Sequence, residues 1–350
     1  MLRADLDHLT PYSAHLVPGD ARKLDANEAP LDLPPTLKEK LARYLVTELS
    51  SNRYPDGVYG ALRQAIAHYA GVPAAWIAIG NGSDELIRSL LLVSALHRGG
   101  ILVADPTFSM YGILAQTLGI PVHRLERHTT DWAWDLTAAN KAIAQEAIAI
   151  VFLVHPNSPT GNSLTAQERD WLAGLPPNVL VVIDEAYFEY AQNTLVSELP
   201  QHPNWVVLRT FSKGFRLAAY RVGYAIAQPH LVTALEKVRL PYNLPTLSAH
   251  AALLALEHRQ ELLGDIPQLL QERDRLYAAW QAWSPAQIQI WPSTANFLYL
   301  RTSHDRALQE FLQQRNIWVR RTGGGLRITV GTAPENHHLR ESWAQFWEAL

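Results

Sequence analysis

The chain has 350 residues, almost half of them apolar, a formal net charge of −3 and no cysteine. Its length is too great for one typical compact domain and suits a large domain plus a smaller one. The charge gives no electrostatic case for nucleic acid or a membrane surface, and the missing cysteines exclude disulfides and thiolate metal sites. Met1 to Asp7 is charged and lacks an apolar secretory core. The longest apolar run, Leu86 to Leu96, contains Arg88 and is too short to span a bilayer. The expectation is a cytoplasmic globular enzyme, in keeping with a reducing compartment.

The first forty or so residues are irregular and rich in proline (Pro11, Pro18, Pro30, Pro34, Pro35), as expected of a segment that wraps over the rest of the fold. Short apolar runs then predict strands at 76–79, 101–104, 122–125, 148–153, 179–183, 206–208 and 222–226. Helical patterns lie between them near 84–96, 111–118, 138–145 and 166–172, the last opened by a Thr165/Glu168 capping box. Such alternation predicts an α/β fold with a mostly parallel, buried sheet covered by helices, and a ligand crevice at the carboxyl ends of the strands. After Pro245 one long helix-like stretch, 246–283, leads to strand-like pieces at 288–291, 297–300, 318–320 and 326–330. A last helix is capped by Thr332, with Pro334 in its first turn and Glu335 completing a capping box. The expected division is an arm over 1–45, which also contributes to the small domain, a large domain over 46–245, and a linking helix with a small α+β domain over 246–350.

Five motifs fall at strand ends. Gly80 to Glu85 (Gly-Asn-Gly-Ser-Asp-Glu) joins a strand to a helix. Its glycines admit a close ligand, the helix start offers free N–H groups to an anion, and Ser83 can add a hydroxyl; an ordinary turn has the same form. It is neither a Walker loop nor a dinucleotide fingerprint, because Glu85 stands where the third glycine belongs. In Pro106 to Tyr111, Phe108 or Tyr111 can stack on a flat ring, or simply pack in the core. His155 to Gly161 has two prolines and a glycine around Asn157. That fixes a turn in which Asn157 is either a placed donor or a group satisfying backbone. Asp184 and Glu185 end an apolar strand, and a buried Asp184 needs a cation or donors. No histidine and carboxylate set has metal-ligand spacing. Finally Ser212, Lys213 and Arg221 follow a strand: lysine forms a Schiff base with an aldehyde, while serine and arginine hold a phosphate. Pyridoxal phosphate carries both groups.

The ordered set of motifs resembles the fold type I pyridoxal-phosphate-dependent aminotransferases, and within them the histidinol-phosphate aminotransferases. The matching stretches run from Tyr12 to Thr332 and include Leu24 to Pro30, Arg53 to Gly57, Arg209 to Tyr224 and Leu326 to Thr332 besides the motifs above. The resemblance implies that Lys213 carries the cofactor, Asp184 pairs with its ring nitrogen, Asn157 and Tyr187 bond its ring hydroxyl, and Phe108 stacks on the ring. Ser83, Asp84, Ser212 and Arg221 would surround the cofactor phosphate, and Tyr54 would reach the phosphate in the partner subunit of a homodimer with shared active sites. Arg327 would hold the amino donor's carboxylate, and Tyr12, Arg320 and Arg327 the acceptor's phosphate. Ser158, Gly214 to Arg216 and Ala219-Tyr220 depart from the usual pattern; Arg216 is expected to make a surface ion pair.

The activity so implied is transamination between histidinol phosphate and 2-oxoglutarate, in histidine biosynthesis. Two alternatives stay open on the same fold: an aromatic amino acid aminotransferase, since arginine binds carboxylate and phosphate alike, and a threonine-phosphate decarboxylase. A dinucleotide-dependent oxidoreductase lacks its fingerprint here, and a regulator built on this fold lacks a basic DNA-binding segment.

Overall fold

Twelve strands form two sheets in the computed structural model, which describes residues 17–283 and 288–350. In chain order they are β1 Arg22–Leu24, β2 Ile77–Asn81, β3 Gly100–Asp105, β4 Val122–Glu126, β5 Ile148–Val154, β6 Leu180–Asp184, β7 Trp205–Thr210, β8 Val222–Ala227, β9 Gln289–Trp291, β10 Phe297–Arg301, β11 Ile317–Thr322 and β12 Gly325–Thr329. The larger sheet has the order β2-β8-β7-β6-β5-β3-β4. It is parallel except at β8, which runs antiparallel to both β7 and β2.

Its central strands are buried along their whole length. Both faces of the pleat are covered, so their sequences read as unbroken apolar runs rather than alternations. Val181, Ile183 and Val207 pack into one core, under the helices Pro35–Thr47, Gly60–Ala70 and Thr246–Glu257. Val182, Val206 and Leu208 pack into another, under Gly82–Leu90, Met110–Thr117 and Pro229–Val238.

The smaller sheet has the order β1-β11-β12-β10-β9 and its own core with the helix Ala333–Glu348. The capping boxes at Thr165 and Thr332 are both present.

Three elements differ from the sequence-based expectation. The leading segment is not irregular throughout: β1 adds a parallel edge strand to β11, and Pro35–Thr47 is a helix that opens on its proline. The helix after β2 ends at Leu90 and continues as a π turn over Leu91–Ala95. The single linking helix is three helices, Thr246–Glu257, Arg259–Leu263 and Ile266–Gln281. Pro267 accounts for the second break. Inside a continuous helix its ring would meet the carbonyl of Leu263; in the first turn of a new helix its missing N–H costs nothing. Nothing in the residues at His258 marks the first break.

Candidate active site

The parallel strands β5, β6 and β7 end on one edge, and register places Val154 and Leu208 beside Asp184. A cavity of about 350 Å³ opens there. Asp184 forms part of its wall, as the last residue of β6, only 3% exposed. Its Oδ2 accepts a hydrogen bond from Tyr111 Oη at 2.6 Å and its Oδ1 one from the Ala186 N–H at 3.0 Å. Burial disfavours the charged carboxylate and pushes its pKa up to about 6, while the Tyr111 and Ala186 bonds pull the other way. None of the strongest influences on it is a cation.

Lys213 follows β7 by three residues and lines the same cavity. Its Nζ donates to the Ala26 carbonyl at 2.7 Å and lies 5.9 Å from the centre of the Tyr187 ring. Burial lowers the amine's pKa; Tyr187 and Glu28 oppose that, and Arg327 and Arg221 add to it. A lysine held this way has more neutral amine at hand than a solvated one.

Beside it the helix Gly82–Leu90 begins at the cavity with Ser83 and Asp84, facing Ser212 and Arg221. Arg221 adopts a left-handed backbone (φ 54°) and points Nη1 to Ser212 Oγ at 3.4 Å and Nη2 to Asp84 Oδ2 at 3.3 Å. Glycine is required here. Gly82 has a left-handed backbone (φ 74°), and a Cβ on Gly223 would lie 2.5 Å from the Ser83 backbone nitrogen. The smaller sheet contributes Arg320 and Arg327, opposite each other in the β11–β12 register, together with Thr322. Arg327 donates from Nη1 to Ser158 Oγ at 3.0 Å and from Nη2 to the Asp25 carbonyl. Ser158, one of the departures from the family pattern, is thus an acceptor for this arginine.

The donor set fits pyridoxal phosphate. A buried carboxylate without a cation suits a protonated ring nitrogen, an amine of lowered basicity suits the aldehyde, and a serine–arginine cradle at a helix start, kept open by two glycines, suits the phosphate.

A family model for aminotransferase class I and II matches residues 20–342. The chain belongs to the class I and II aminotransferases. It is 53% identical over 347 residues to a histidinol-phosphate aminotransferase of Synechococcus sp. (strain JA-3-3Ab), covering 98% of each chain. It is 51% identical to another from Thermosynechococcus vestitus, covering all of this chain and 96% of that one. Among solved structures, histidinol-phosphate aminotransferase from Sinorhizobium meliloti in complex with pyridoxal-5'-phosphate superposes with a TM-score of 0.82 at 25% identity, covering 92% of this chain and 89% of that one.

In this aminotransferase the cavity brings together Lys213, Asp184, Tyr187, Phe108 and the Ser83–Asp84–Ser212–Arg221 group with Arg320 and Arg327. Two of the sequence-predicted residues do not line it. Asn157 is fully buried in its turn: Nδ2 donates to the Pro106 carbonyl at 3.0 Å and to Thr160 Oγ1 at 2.6 Å, and Oδ1 accepts from Thr107 at 2.9 Å. Tyr54 is 80% exposed and stacks on Tyr242 with ring centres 4.5 Å apart. Tyr12 lies outside the described residues.

Two readings are corrected. Tyr111 is not free to stack on a ligand. It is fully buried, parallel to Phe152 at 4.5 Å, and its hydroxyl serves Asp184. Arg216 makes no simple surface pair: its side chain, 7% exposed, spans the Asp32 and Leu262 carbonyls and Asp265, tying the leading segment to the linking helices. Behind that tie lies a second cavity of about 260 Å³, lined chiefly by apolar groups such as Leu31, Leu262, Leu269 and Pro334. Its charged residues Arg216 and Asp265 pair with each other, and Glu272 with Arg275. Among the described residues no cluster could hold a metal ion, and no helix is long and apolar enough to cross a membrane.

Proposed function

We propose that this aminotransferase exchanges the amino group of histidinol phosphate with 2-oxoglutarate, using pyridoxal phosphate held through Lys213, and that it serves histidine biosynthesis in the cytoplasm. The observation that carries the reading is the pairing of two anion-binding groups in one cavity. Ser212 and Arg221, beside the helix start, suit the cofactor's phosphate; Arg320 and Arg327, on the other sheet, remain for the carboxylate and phosphate of the substrates. The names of the relatives above support the choice of substrate.

When bound, the cofactor supplies a sink for the electron pair left at the substrate Cα. Lys213, its amine made less basic by burial, would take the Cα proton as general base and pass it, as general acid, to the cofactor carbon that receives the amino group. Asp184, ionised against the ring nitrogen, holds a proton there. Tyr187 would bond the ring hydroxyl and Phe108 would cover a ring face, while Asn157, its amide engaged with Pro106, Thr160 and Thr107, would hold the turn beside them. Ser83, Asp84, Ser212 and Arg221 anchor the phosphate, the first two partly through their backbone N–H groups. Arg327 aligns the donor's carboxylate, and Arg320 and Tyr12 help it with the acceptor's phosphate.

Tyr54, exposed and absent from its own subunit's cavity, reaches across a homodimer to the neighbouring site. The chain divides into an arm over 1–45, a cofactor-binding domain over 46–245 and a small domain with its linking helices over 246–350.

The test is spectrophotometric. Purified protein with added pyridoxal phosphate is titrated with histidinol phosphate and, separately, with phenylalanine. Loss of the visible band at low histidinol phosphate, but only at high phenylalanine, is expected. The opposite preference would move the assignment to an aromatic aminotransferase, and carbon dioxide released from threonine phosphate without an acceptor would move it to a decarboxylase. No visible band would sink the cofactor reading.

A further inference from the structure

Asn27 belongs to none of the groups above, yet it is entirely buried beside them, with a left-handed backbone (φ 54°) that an asparagine tolerates better than most side chains. Three consecutive residues of its segment touch the site: the Asp25 carbonyl accepts from Arg327, the Ala26 carbonyl from Lys213, and Asn27 Nδ2 donates to Tyr187 Oη at 2.9 Å.

The direction of that last bond is fixed from behind. The Asn27 N–H donates to Thr329 Oγ1 at 3.0 Å, and Thr329 Oγ1 returns its proton to Asn27 Oδ1 at 3.1 Å. Thr329 is 2% exposed. Turning the amide over would put a second N–H against the threonine oxygen and leave the buried threonine proton without this acceptor, an unfavourable exchange. Asn27 therefore presents N–H, not C=O, to Tyr187. The Tyr187 ring is held edge-on to Phe297 at 5.1 Å, so its oxygen cannot move aside. With that oxygen accepting from Asn27, the tyrosine's own proton is directed elsewhere, and Tyr187 lines the cavity that holds Lys213.

We propose that Asn27 is a positioning residue that keeps the Tyr187 hydroxyl a hydrogen-bond donor to the cofactor's ring oxygen, with Thr329 locking Asn27 in the required orientation. The inference rests on the cofactor reading above and adds a specific link. Thr329 stands two residues from Arg327 on β12, on the same face of the strand. The substrate-binding arginine and the group that orients Tyr187 thus share one rigid element.

The readout is the pH midpoint of the visible absorbance of the lysine-bound cofactor in holoenzyme. A hydrogen bond donated to the ring oxygen competes with the nitrogen-bound proton for that oxygen, so losing it raises the midpoint. The charged groups facing Lys213 are Arg327, Arg221 and Glu28, with Tyr187 beside them; the variants leave all three in place. Asn27→Asp keeps the shape but gives Tyr187 an acceptor. It is expected to raise the midpoint by about one pH unit, the size of one charge-assisted hydrogen bond, as Tyr187→Phe does. The double variant should add little to Tyr187→Phe alone, which separates lost orientation from the charge brought in by the aspartate. Thr329→Val, with no new charge, should move the midpoint in the same direction by less. If Asn27→Asp does not fold, Thr329→Val decides alone. A wild-type midpoint in Thr329→Val, or an undiminished Asn27→Asp shift in the Tyr187→Phe background, would overturn the proposal. A wild-type protein without a visible band would overturn the cofactor reading and this inference together.

Discussion

Asp184 and Glu185 are neighbours in the chain, both buried, and they lead opposite lives. Glu185 is closed in: it accepts from Arg209 Nε and Nη2 at 3.0 and 2.9 Å, from Thr194 at 2.8 and 3.0 Å and from the Leu195 N–H at 2.8 Å, and the Arg209 guanidinium lies over Phe188 at 3.5 Å. Asp184 has two neutral donors and a cavity in front of it. Both carboxylates give up water. Burial raises the pKa of both, but for one it is opposed within the chain by the Arg209 cation, while the other has only neutral donors to oppose it. The first is architecture and the second is the one we propose binds the cofactor, although strand periodicity alone treats them as a pair.

That contrast can be broken from either side. The largest effect is expected on the cavity side, where Lys213→Ala removes turnover; steady-state assays at wild-type rate would sink the assignment. On the closed side, Arg209→Met leaves Glu185 buried without its cation. It should cost about 3–5 kcal/mol of stability, read as a lower urea midpoint, and a variant as stable as wild type would mean that Glu185 is protonated or rehydrated. Arg327→Ala is expected to lower kcat/KM for the amino donor by about 1.5–3 kcal/mol per charged hydrogen bond lost; an unchanged value would remove it from the donor's site. Asp184 gives the contrast a pH signature. Its folded pKa, about 6, is raised above the ordinary carboxylate value of 3.8, so the folded cofactor-free protein holds a proton that the unfolded chain has released. The contribution of Asp184 to stability is therefore greatest below pH 4, falls as pH rises towards 6, and is level above that. The fall should be about 3 kcal/mol and should vanish in Asp184→Asn, against which the comparison is made. Smallest is Tyr111→Phe. It removes the donor to Asp184, raises that carboxylate's pKa further and weakens cofactor binding by about 1 kcal/mol. Equilibrium dialysis showing unchanged affinity would leave Tyr111 a packing residue.

What could be read from the chain was whatever is local or periodic. Buried runs located β2, β3 and β5 to β8, and the motifs at their ends marked Lys213, Asp184 and the Gly82 helix start, because the parallel strands deliver their ends to one edge. The capping boxes at Thr165 and Thr332 were legible since donor and acceptor lie three residues apart. The remainder depends on partners that sequence distance conceals. Tyr111 reads as an aromatic after a strand, and only the packed sheet brings it to Asp184, 73 residues on. Asn27 sits in a stretch noticed for its likeness to a family, but its role depends on Tyr187 and Thr329, 160 and 302 residues away. Arg216, three residues after Lys213, shows no purpose in the sequence, since the two carbonyls and the carboxylate it joins lie on separate segments. Pro267 starts a new helix, but one apolar pattern continues across it and hides the break.

The edge strand β1 also sets an order of events during synthesis. It pairs with Ile317–Val319, almost 300 residues later, so the leading segment has no seat until nearly the whole polypeptide has been made. The larger sheet, with Lys213 and Asp184, is complete by residue 227. Closing so long a loop is slow and entropically costly. A growing chain therefore holds the floor of the site before it holds the strap of Asp25, Ala26 and Asn27, and only the finished protein has an enclosed one.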